Sequence, residues 1–197
     1  MILTGCGSGR LGLTGGSIPI GTSALQGTVV RADNPSIPVE SASVTLAKGS
    51  QHDDLATDAH GRFDLRDIAG GTLSMSVQAS DSEALRPDWR WDLPLPEGAH
   101  AHLIVALWPA GFDPNSVTAV MVAPPSYTLR VGDTIRFVAT AQDRTGAVLS
   151  VMPSLLLVGD SALLASNGAV TGAAPGHATL TAWLHGKTAQ ADITVIP

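Results

Sequence analysis

Apolar and polar residues alternate with a period of two along most of the chain. Ala42, Val44 and Leu46 are interleaved with Ser43 and Thr45, and Phe63 and Leu65 with Asp64 and Arg66. Leu73, Met75, Val77 and Ala79 alternate with Ser74, Ser76, Gln78 and Ser80. Further along, Ile135, Phe137, Ala139 and Ala141 recur at every second position, as do Ala178, Leu180, Ala182 and Leu184, then Ala189, Ala191, Ile193 and Val195. This period predicts strands with one buried face. Two further strands are expected at residues 25–32 and 103–107. Turn residues stand between the runs: Asp33-Asn34-Pro35, Lys48-Gly49-Ser50, Asp143-Arg144-Thr145-Gly146 and Asn167-Gly168. Each supplies a side chain that bonds its own backbone, or a glycine able to take positive φ. No window of about ten residues carries a helical pattern.

The break at residues 109–115, Pro109-Ala110-Gly111-Phe112-Asp113-Pro114-Asn115, reads as a short, stiff linker. The prediction is therefore all-β: two tandem β-sandwiches, residues 24–108 and 116–197, behind a flexible N-terminal tether, residues 1–23. Phe63 and Phe137 are the expected anchors of two separate cores. Two sandwiches placed end to end would form a short rod, with the C-terminus several nanometres from the start of the chain.

Composition sharpens this picture. In 197 residues, 21 are Gly and 13 are Pro, well above the usual combined share of about 12%. Yet 44% are hydrophobic, too many for a disordered chain. Lys and Arg number 11 against 17 Asp and Glu, a net charge of −6, which supplies no basic field for nucleic acid. The longest apolar runs, such as residues 103–108, are far too short to span a bilayer as a helix.

Several residue groups qualify for chemistry. Trp89 and Trp91 alternate in Asp88-Trp89-Arg90-Trp91-Asp92; exposed, they would stack on a sugar ring or a partner, and buried, they would cover the end of a sandwich. The scarcity of large aromatics favours packing. His100 and His102 share a strand face, a spacing that can chelate zinc, but no third ligand is identifiable and outward surface histidines are expected. Asp53, Asp54 and Asp58 lack the alternating oxygens of a calcium loop and read as a solvated turn. Lys48 sits in a turn and faces no core carboxylate. Ser161 and Ser166 lack a nucleophile elbow. No catalytic residues, metal or cofactor are predicted.

The first segment resembles the carboxypeptidase regulatory-like domain, a transthyretin-like β-sandwich. The matching pieces are Gly27-Thr28-Val29, Ala42-Ser43-Val44-Thr45-Leu46, Thr57-Asp58-Ala59-His60-Gly61-Arg62-Phe63 and the stretch from Ile68 through Gly70-Gly71-Thr72 to Val77. The second resembles the group 2 bacterial immunoglobulin-like domain of surface proteins, through Leu129-Arg130-Val131-Gly132-Asp133-Thr134, Asn167-Gly168-Ala169-Val170-Thr171-Gly172 and Pro175-Gly176-His177-Ala178-Thr179-Leu180. Leu155 or Leu156 stands where that family has a core Trp, and Trp183 is expected to replace part of its bulk. Leu3-Thr4-Gly5-Cys6 resembles the lipobox of bacterial lipoproteins, with Cys6, the single cysteine, as the lipid attachment site and a Gly/Ser tether behind it. That resemblance implies a signal segment upstream of Met1 in the reading frame. Together the resemblances imply a non-enzymatic exported lipoprotein, anchored to a membrane of the cell envelope and facing periplasm or cell surface. Its modules would serve as spacer, adhesion or interaction domains for a protein or polysaccharide ligand. A carbohydrate- or polymer-binding accessory protein and a non-catalytic fragment of a larger exported enzyme are the alternatives.

Overall fold

The computed structural model describes residues 16–80, 84–165 and 167–197; the side chains of residues 88–91 also fall outside the description. The fold is all-β, built from β-sandwiches. In the first half, β1 (Ile20–Arg31), β2 (Ser43–Lys48), β3 (Gln51–Ala56), β4 (Arg62–Ile68), β5 (Gly71–Gln78), β6 (Asp88–Leu95) and β7 (His100–Leu107) follow one another. A single 3₁₀ turn, Pro114–Ser116, leads to β8 (Ala119–Ala123), β9 (Ser126–Arg130), β10 (Thr134–Arg136), β11 (Val138–Gln142), β12 (Ser154–Val158), β13 (Ala162–Leu164), β14 (Ala169–Gly172), β15 (Gly176–Leu184) and β16 (Lys187–Ile196).

The unifying feature is a seven-stranded sheet in the order β4-β1-β7-β12-β15-β16-β9. It runs through both halves of the chain, because β7 pairs antiparallel with β12, Ile104 opposite Leu155 and Leu103 opposite Leu156. The sheet β3-β2-β5-β6 covers its first half, while β10-β14-β13 and β11-β8 complete the second sandwich. These covers lie on opposite faces. Leu25, Val29, Leu103, Val105 and Leu107 point into the first core, with Leu156 and Trp183 beside them. Val30, Ile104 and Ala106 point the other way, into the core that holds Phe137, Leu155, Leu157 and Leu180.

This arrangement corrects five expectations. The sandwiches stand side by side, not end to end: seven strands at ~4.8 Å spacing make one sheet about 29 Å wide. Their cores are distinct but not insulated, since β7 contributes to both. Trp183 does not supply bulk to the second core; it shares a strand face with Thr179 and Thr181, away from Ala182 and Leu184, and is buried against the first. The first module also begins earlier than residue 24. Ile18 is fully buried, and the Gly16 carbonyl accepts from the His52 N–H at 3.1 Å. The linker is docked rather than free. Ala110 N–H donates to the Ala84 carbonyl, Arg86 N–H to that of Trp108, and the Trp108 ring packs on Phe112 at 5.8 Å.

The turn motifs do what their residues predict. Asp58 Oδ1 accepts from the N–H groups of His60 and Arg62, both at 2.8 Å. Gly61 adopts φ 70°, and a β-carbon there would lie 2.4 Å from the Val29 carbonyl oxygen, so only glycine fits. Thr57 Oγ1 donates to the Val39 carbonyl at 2.7 Å and accepts from Ala42 N–H at 2.9 Å. Asp143 and Asn167 accept from the backbone in the same way.

Candidate functional site

Because the covering sheets sit on opposite faces of the shared sheet, a strip of that sheet is left uncovered beside the second sandwich. It forms the floor of an open groove of about 1190 Å³ between the two modules. Alternation on β1 sends Leu25, Gly27 and Val29 into the core, so Gln26 and Thr28 face the groove. Register then fixes their neighbours. Gln26 lies between Asp64 on β4 and His102 on β7, and Thr28 between Arg62 and Ile104. The floor is thus two short cross-strand rows of mostly polar side chains. One wall is Pro35, Ser36, Pro38 and the His60 turn; the other is Arg136, Leu164, Ala165 and Asn167 from the second module.

The electrostatics of the groove follow from which groups are already held. The Asp58 carboxylate is occupied by its own turn, and the Arg62 and His60 amides keep it below its ordinary range. Asp64 Oδ2 is paired with Arg66 Nε at 2.7 Å, while its Oδ1 is buried without a hydrogen-bond partner. His102 is half-buried, and burial, reinforced by neighbouring His100, lowers its pKa, so its imidazole is neutral at pH 7. No ion pair or hydrogen bond holds the guanidinium of Arg62 or of Arg136 among the described residues.

The residues singled out in the sequence fall elsewhere. Cys6 lies outside the described residues, as do Ser166 and the side chains of Trp89 and Trp91. The backbone of the Trp segment forms β6, with Trp89 opposite Ser76. That strand is the far edge of the four-stranded sheet, on the other side of the seven-stranded sheet from the groove floor. His100 is exposed and 3.4 Å from Asp160, while His102 is half-buried and lines the groove. Among the described residues no group of three His, Cys, Asp or Glu could hold a metal ion. Asp54 accepts from Thr45 Oγ1 at 2.6 Å, and Lys48 Nζ donates to the carbonyls of Ala69 and Gly70. Ser161 is buried and its hydroxyl has no hydrogen-bond partner, so no base activates it. Gln26, Thr28, Arg62 and Arg136 carry no motif that marks them as site residues. Their strands were legible, but only the β7–β12 pairing places them along one groove.

No protein-family model matches the chain, and no curated protein matches it in sequence. Among solved structures, the chain is similar to domains 4 and 5 of the S-layer protein SbsC, at 15% identity and TM-score 0.36 over 68% of this chain and 69% of that one. A longer SbsC fragment matches at 14% identity and TM-score 0.35, over 79% of this chain but only 20% of its own length. A candidate carbohydrate-binding protein from Bacteroides uniformis matches at 10% identity and TM-score 0.37, over 88% of this chain and 99% of that one.

Proposed function

We propose that this chain is a non-catalytic binding module of an exported bacterial protein, and that it holds an extended glycan in the groove between its two sandwiches. One observation carries the reading: the uncovered strip of the shared sheet presents Gln26, Thr28, Arg62 and His102 as a polar floor, flanked by walls from both modules. A glycan needs hydrogen-bonding side chains at fixed spacing along a concave surface, and strands supply that spacing rigidly. The resemblances to carboxypeptidase regulatory-like and group 2 immunoglobulin-like domains, and the lipobox-like segment ending at Cys6, fit the same assignment: a lipid-anchored envelope protein that presents a binding surface.

The test is affinity electrophoresis of the purified chain against a panel of soluble polysaccharides. Thr28→Trp places a bulky ring on the groove floor and is expected to abolish retardation without changing the melting temperature. Trp89→Ala with Trp91→Ala is the control. Retardation that survives Thr28→Trp but is lost in the tryptophan variant would move the site to β6 and overturn the groove reading.

A further inference from the structure

We infer that the groove selects a carboxylate-bearing polysaccharide, with Arg62 from the first module and Arg136 from the second as the residues that hold its acid groups. The inference rests on the groove being a glycan site and adds the class of glycan.

Most of the described arginines are held by the fold. Arg31 pairs with Asp33 at 2.8 Å and Arg66 with Asp64 at 2.7 Å. Arg86 donates to the Ala110 carbonyl at 3.0 Å, and Arg130 to that of Pro197 at 3.1 Å. Each of these guanidiniums is used by the fold. Among the described residues the guanidiniums of Arg62, Arg136 and Arg144 are not held in this way, and of these Arg62 and Arg136 line the groove. Two carboxylates line the groove with them: Asp58, whose Oδ1 takes two backbone amides of its turn and which feels the nearby Arg62 charge, and Asp64, paired through Oδ2 with Arg66. Neither forms an ion pair or hydrogen bond with the Arg62 or Arg136 guanidinium among the described residues. The groove therefore offers two guanidinium forks held by no ion pair or hydrogen bond among the described residues, Arg62 at the edge of its floor and Arg136 on its far wall. A guanidinium matches a carboxylate in shape and takes it bidentately, with the strength of a charge-assisted hydrogen bond. The placement is against the trend of the molecule, whose net charge is −6. A neutral sugar polymer would leave both guanidiniums without a partner.

The experiment compares two probes that share a backbone, polygalacturonate and its fully methyl-esterified form, using the full chain in affinity electrophoresis and titration calorimetry. Polygalacturonate is expected to bind at least tenfold more tightly than the ester, and to weaken as salt rises from ~50 to ~300 mM. Arg62→Gln and Arg136→Gln should each weaken it by about tenfold or more at unchanged melting temperature. Arg144→Gln, on the Asp143 turn outside the groove, should leave it unaltered. Equal binding of the two probes, lost on Thr28→Trp, would overturn the acid selectivity and leave the groove reading standing. Binding weakened as much by Arg144→Gln as by Arg62→Gln would overturn the assignment of the two residues. Failure of both probes and of the neutral panel would overturn both readings together.

Discussion

The far end of the Phe63 ring lies over Gly27, its cross-strand neighbour: a β-carbon at Gly27 would sit 2.2 Å from Phe63 Cζ. The absent side chain on β1 is what allows the ring on β4 to cover the sheet, as an aromatic covers a glycine on a paired strand. Gly27→Ala is therefore expected to cost at least ~1–3 kcal/mol by overpacking. Urea denaturation of the variant checks this; an unchanged midpoint would mean the ring moves aside freely.

Phe63 and Phe137 belong to different cores, yet β7 lines both. Each change to Ala is expected to cost about 3–5 kcal/mol, and both should lower one common unfolding transition. Calorimetry decides: two separable transitions, each sensitive to one variant, would show that the β7–β12 pairing does not couple the halves.

The strands and turns were legible because alternation and turn chemistry are local. Asp58, Asp143 and Asn167 bond their own backbones, so three or four residues carry the whole signal. The joining of the sandwiches was not legible, since pairing of Ile104 with Leu155 links positions about 50 residues apart. A trace of it was present nonetheless. Residues 103–108 and 155–158 are apolar without alternation, the pattern of strands buried on both faces. The groove inherits that difficulty. Arg62 and Arg136 look like ordinary solvent-facing residues on their own strands, and only the shared sheet makes them neighbours of one groove.

Ser154 is fully buried, and its Oγ accepts from the Ala106 N–H at 2.9 Å. It takes over this donor where the β7–β12 ladder runs into Pro153. Ser154→Ala should cost about 1–3 kcal/mol, because a buried amide loses its acceptor. Hydrogen exchange at Ala106 is the sensitive reading: protection there should fall well below that of Ile104.

Glu97 ties three segments together. Its carboxylate accepts from Thr22 N–H at 3.1 Å, Thr22 Oγ1 at 3.0 Å and Gly70 N–H at 2.7 Å. These bonds, the Thr22 amide first, hold its pKa below the ordinary 4.5. The unfolded chain therefore takes up this proton first as pH falls. The stability contributed is fully present above the ordinary value and is lost as pH drops through the lowered folded value. Asp143 and Asp58 act with the same sign. Urea midpoints should decline from about pH 5 downward, and Glu97→Gln should flatten part of that decline. A pH profile identical to that of the parent chain would contradict the role of Glu97.

The sheet that crosses both sandwiches makes neither half a portable part. Cut between residues 109 and 115, the first half would end in β7 with one edge bare, and the second would carry β12 the same way. Each edge would present an open row of amides and carbonyls flanked by leucines, a template for pairing with any strand at hand. Shuffling at this boundary, by recombination or by design, would turn an interior seam into an adhesive rim. The two sequence patterns can be told apart on paper, but they can be inherited and reused only as one piece.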